Sequence, residues 1–77
     1  MRSIQTIAYD IKAHWTNVNI HAKPYLDAMT HLDFPEDTFG ADSAKDIVLY
    51  FLSNASTFRG EHAQRIKAEL KQMFGFK

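Results

Sequence analysis

The chain has no cysteine. Disulfide staples and thiolate metal sites are therefore excluded, and the usage fits a reducing compartment. Long apolar runs are also missing. No stretch approaches the roughly 18 residues of a membrane-spanning helix, so no membrane partner is expected. The opening MRSIQTIAYDIKAHW has one arginine but no continuous apolar segment, unlike a secretory leader. The Asn54–Ser56 sequon is discounted on the same ground. The expectation is a cytoplasmic protein. Net charge is zero, which leaves little general attraction for phosphate. Glycines are few, Gly40 and Gly60 stand alone, and no GxSxG, Walker A or GxGxxG pattern occurs.

What is present is apolar. Of 77 residues, 45% are hydrophobic, with one Trp, three Tyr and six Phe. That supports one domain over 1–77 with a compact core, and is too apolar for a disordered tail. A chain this short buries only about 60–65% of its unfolded surface, so stability depends on good packing or oligomerisation. Charge is uneven. Residues 1–25 carry Arg2, Lys12 and Lys23 against Asp10; residues 26–46 carry Asp27, Asp33, Glu36, Asp37, Asp42 and Asp46 against Lys45; the remainder is basic again. The simplest expectation is that the acidic middle neutralises the basic ends across the fold.

Four segments hold helical periodicity. In the first, Ser3 to about Trp15, Ile4, Ile7, Ala8, Ile11 and Trp15 form a narrow stripe with Ser3 as N-cap. Asn17 or Asn19 is expected to end it in a left-handed conformation. The second runs from Pro24 to about Leu32, with Lys23 before it pushed out of the helical region. Pro35 closes the stretch, and a loop over residues 33–41 is expected to tuck Phe34 and Phe39 into the core. The third, Ser43 to about Asn54, opens with the capping-box-like SAKD and has the stripe Ala44, Ile47, Val48, Phe51 and Ala55. The fourth begins near Thr57 or Gly60 and ends at Phe74. Ala63, Ile66, Leu70, Met73 and Phe74 form its stripe, Glu61 and Arg65 an i,i+4 pair, and Gly75 its C-terminal stop, with Phe76 folding back on Leu70. The predicted fold is all-α, a small bundle of about four short helices.

Chemistry is not evident. None of the four histidines, His14, His21, His31 and His62, lies at i+3 or i+4 from another, and no HExxH exists. Asp33 with Glu36 and Asp37 lacks EF-hand spacing. No catalytic residue, cofactor or metal is expected, and the reading is that the chain is not an enzyme. Two binding classes remain. Tyr9, Leu49 and Tyr50 lie off their stripes and are either interface anchors or core residues of helices buried on two sides. The expected partner is another protein or a second copy of this chain. The alternative is a nucleic-acid-binding regulator using Arg59, Arg65, Lys67 and Lys71, with the last helix as reader. Against it, Arg65 falls on the opposite flank of the apolar stripe from Lys67 and Lys71, splitting the basic face.

The segments KPYLDAM, DSAKDIVLYFLSNASTFRGE and RIKAELK, in that order, resemble short proteins of phages and conjugative elements of low-GC Gram-positive bacteria. The likeness covers residues 3 to 72. It implies a bacterial, cytoplasmic, mobile-element setting in which small proteins act by binding, and it attaches no activity to any residue.

SNASTFRGEH, residues 53–62, is the stretch most like a site. Most of it reads as punctuation: Ser53 to Ala55 end one helix, Ser56 or Thr57 caps the next, and Phe58 packs at the joint. If the last helix already begins near Thr57, Arg59 falls on its apolar stripe. It would then need either an acidic partner, such as one from residues 33–46, or a ligand.

Overall fold

Ser3 starts the first helix by accepting a hydrogen bond from the Thr6 backbone N–H at 3.1 Å, the contact an N-cap serine is suited to make. The computed structural model describes residues 2–76. In it α1 spans Ile4–His14, α2 Lys23–Met29, β1 Thr38–Phe39, β2 Asp42–Ser43, α3 Ala44–Ser53 and α4 Glu61–Phe74. The protein is a small, mostly α-helical bundle. Helix α3 packs chiefly on α2, and α1 and α4 pack on each other while contacting α2 and α3 respectively. No helix among the described residues is long and apolar enough to cross a membrane.

The helical stripes are the core. Ile4, Ile7, Ala8 and Ile11 of α1, Ala44, Ile47, Val48 and Phe51 of α3, and Ala63, Ile66 and Leu70 of α4 are buried. Trp15 closes one end, stacked on Phe58 with ring centroids 5.1 Å apart and edge-on to Phe51 at 6.1 Å. Phe58 thus packs at the α3–α4 joint as its place in the sequence predicts. At the far end of α4, Gly75 is left-handed at φ 73°. The Phe76 N–H reaches back to the Lys71 carbonyl at 2.8 Å, the long bond of a Schellman stop. Phe76 packs on the core stacked beside Phe74, 5.6 Å away.

Several expectations are corrected. Among the described residues only glycines have positive φ, so neither Asn17 nor Asn19 ends α1 in the left-handed region. Asn19 instead organises the following turn: its side-chain oxygen accepts from the His21 N–H at 2.8 Å and its carbonyl from the Ala22 and Lys23 N–H groups. That turn leads directly into α2, so Lys23 is already helical, with Pro24 in the first turn where its missing donor costs nothing. Helix α2 stops at Met29 rather than Leu32. The Thr30 hydroxyl donates to the Asp27 carbonyl at 2.6 Å, and the next two N–H groups shift to i−3 carbonyls, yet Leu32 stays fully buried.

The segment expected as a plain loop holds an antiparallel hairpin pairing Thr38 with Ser43 and Phe39 with Asp42. Gly40, at φ 63°, begins its two-residue connection, where a positive φ matches the twist of the strands. Asp37 braces the approach. One of its carboxylate oxygens accepts from both the Asp33 and Phe34 N–H groups at 2.9 Å. With the chain folded this tightly on itself, Phe34 and Phe39 are not core anchors: they remain 59% and 44% exposed. Phe39 stacks on His31 instead, 5.1 Å away.

Helix α4 begins at Glu61, capped by Gly60 with no side-chain cap. Ser56 and Thr57 therefore do not cap it, and Arg59 precedes the helix rather than lying on its stripe. Arg59 is exposed and its Nε donates to the Ser56 carbonyl at 3.2 Å. Among the described residues it has no ion-pair partner. The acidic middle does not neutralise the basic ends as a block either. Of its six carboxylates only Asp27 is ion-paired among the described residues, to Lys12 at 2.8 Å.

Candidate functional site

The residues lying off their stripes stand outside the core. Tyr9, Leu49 and Tyr50 are 56%, 43% and 51% exposed, so none is core. On α3 the contrast is sharp: Ile47, Val48 and Phe51 face inward while Leu49 and Tyr50 face water. Tyr50 is not loose. Its ring rests against that of Tyr25 on α2 at 5.5 Å, tilted by 32°, and such pairs hold ring orientation at a gain of about 0.5–1.5 kcal/mol. The end of α3 is fastened beside it: the Asn54 side chain donates to the Tyr50 carbonyl and the Ser53 hydroxyl to that of Leu49, both at 2.9 Å.

The four basic residues do not form one face. Arg65 is tied to Glu61 at 2.7 Å in the expected i,i+4 pair. Lys67 is half-buried, its ammonium 5.9 Å from the Phe58 ring centroid. Burial, with Lys71 and Arg59 nearby, lowers its pKa from the ordinary lysine value. Lys67, Lys71 and Arg59 are thus neighbours, and Arg65 stands apart with its own counter-ion.

A third arrangement was not predicted. Asp10 and His14 sit one turn apart on α1, and His62 lies in the first turn of α4. One Asp10 carboxylate oxygen, Oδ1, is 3.0 Å from both His14 Nδ1 and His62 Nε2. The two imidazole rings lie 3.9 Å apart, tilted by 40°. His14 Nδ1 also lies 2.9 Å from the Asp10 carbonyl. The other carboxylate oxygen, Oδ2, accepts from Arg2 at 2.7 Å. Arg2 in turn grips Glu69 with a two-pronged fork, at 2.6 and 3.1 Å. Nothing in the histidine spacings alone signals this cluster. The readable half was the Asp10–His14 spacing of four, which puts both side chains on one helix face.

This network sets a pH response. Arg2 first, and then His62, hold the Asp10 carboxyl below its ordinary 3.8. The Phe34 and Asp33 N–H groups do the same for Asp37. A carboxyl whose pKa is depressed on folding stabilises the fold above its unfolded value, and that contribution is lost as pH falls through the lower folded value. Stability is therefore expected to decline below about pH 4. In acid unfolding followed by circular dichroism, D10N and D37N should each flatten that decline, because neither amide titrates. An unchanged slope in both would contradict the assignment.

No family model, no curated protein and no solved structure matches the chain.

Proposed function

We propose that this protein is a non-catalytic binding module that engages another protein through the outward face of α3. The observation that carries the reading is the exposure of Leu49 and Tyr50, with the Tyr50 ring braced by Tyr25. A tyrosine already held in place loses little freedom on binding, and tyrosines are over-represented among residues that dominate interface energies. The bacterial, cytoplasmic, mobile-element setting is part of the proposal and rests on the resemblance of residues 3 to 72.

The test is capture from a lysate of the source organism, with and without nuclease, comparing wild type with the L49A/Y50A variant. Both side chains are exposed, so the variant should stay folded by circular dichroism. A protein partner retained after nuclease and lost with the variant supports the reading. A second copy of this chain would appear as self-association in sedimentation, abolished by the same variant. Capture that disappears with nuclease, and weakens when Lys67 and Lys71 are neutralised, would overturn it in favour of a nucleic-acid-binding regulator. Identical capture by wild type and variant would also overturn it.

A further inference from the structure

We propose that Asp10, His14 and His62 form a solvent-open site for a divalent transition metal of the zinc class, joining the end of α1 to the start of α4. The three donor atoms lie within 4.8 Å of one another, two of the edges being 3.0 Å. Ligands of a tetrahedral zinc, at about 2.0–2.1 Å from the metal, stand roughly 3.3 Å apart. Two edges of the triangle are thus near their final length, and the histidine–histidine edge lies within 4.8 Å. Two imidazole nitrogens with one carboxylate oxygen suit zinc, cobalt, nickel or copper. Calcium and magnesium prefer all-oxygen shells.

The surroundings favour this use. Asp10 is mostly buried, its side chain 18% exposed, whereas His14 and His62 are about half exposed at 51% and 47%. The carboxylate is therefore fixed while the imidazoles remain open to an arriving ion, with room for water as a fourth ligand. Arg2 occupies Oδ2 and leaves Oδ1 as the single donor. Glu69 anchors Arg2, giving the ligand carboxylate the outer-shell support common in metal sites. Two carboxylates and one guanidinium leave one net negative charge beside the two imidazoles. The carbonyl end of α1 and the N–H end of α4 meet there with opposite potentials that offset each other. Without metal, Oδ1 can accept from His14 Nδ1–H and His62 Nε2–H. Binding needs the lone pairs of those facing nitrogens, so in each neutral ring the proton moves to the outer nitrogen.

The experiment uses the untagged 77-residue chain with zinc, and with cobalt as a coloured probe. Calorimetry should show one saturable site. The visible absorption of bound cobalt should have the intensity of a four- or five-coordinate ion, distinct from the aqueous ion. At metal a hundredfold above Kd, the melting temperature should rise by about 10 °C or more. H14A, H62A and D10N should each weaken binding by tenfold or more while remaining helical, and H21A and H31A should bind as wild type does. If no saturable binding is seen, or if H14A and H62A bind like wild type, the site does not exist. If H21A or H31A abolishes binding instead, the ligands are elsewhere and the assignment is overturned.

Discussion

Replacing Phe51 with alanine is expected to destabilise the protein by about 3–5 kcal/mol, the range for truncating a buried phenylalanine. Phe51 is the largest of the fully buried side chains. It lies on the inward face of α3 and packs in a T-shaped arrangement with Trp15, so its loss opens a cavity beside the residue that follows α1. A chain of this length has a total stability of only about 4–12 kcal/mol, so F51A consumes a large share of it. Trp15 is the sole tryptophan, and its fluorescence reports directly on the affected region. Urea unfolding should show the midpoint collapse, with F51A partly unfolded even in water if the wild type is at the lower end of the range. Y50A, one residue earlier and exposed, should cost about 1 kcal/mol or less. Equal losses for the two variants would mean that the inward and outward faces of α3 are wrongly placed.

The second large effect involves no lost contact. Gly60 caps α4 at φ 107°, ψ 173°, a region essentially reserved for glycine, where an L side chain costs about 1–3 kcal/mol. An added Cβ would meet nothing within 4 Å, so packing does not contribute. G60A should therefore lose about 1–3 kcal/mol purely through the backbone. D-alanine at the same position, introduced by chemical synthesis, should instead leave the protein at least as stable as wild type. It favours positive φ and restricts the unfolded chain. If D-alanine destabilises as much as L-alanine, the cost is steric and the conformational account fails.

The helices were legible because their stripes repeat at 3.6 residues and their caps are local. Ser3, Ser43 and Gly75 need only neighbours within a turn to act, and each does so. What escaped depends on less local facts. Phe34 and Phe39 are apolar by composition, but a hairpin braced by Asp37 holds them outside, and residue type alone does not determine burial. Arg59 appeared to need a partner only while α4 was taken to start at Thr57; a start at Glu61 removes the demand. The exposure of Leu49 and Tyr50 followed from which side of α3 met α2, which periodicity cannot specify on a helix apolar on several sides. The histidine cluster joins His62 to Asp10 and His14, 52 and 48 positions away in the chain, and only the docking of α1 on α4 brings it to them.

That docking has a kinetic side. The Arg2–Glu69 fork closes a segment of 67 residues. Closing so long a loop costs about 3–4 kcal/mol of chain entropy beyond a constant, whereas exposed ion pairs contribute roughly 0–1 kcal/mol each. Charge alone cannot gather the two ends. The apolar surfaces of α1 and α4 have to meet first, and the guanidinium and carboxylates lock onto an encounter already made. An interaction formed after the folding barrier acts as a latch: it lengthens the life of the folded state without hastening its formation. In R2M, therefore, the unfolding rate should rise while the refolding rate stays near that of wild type.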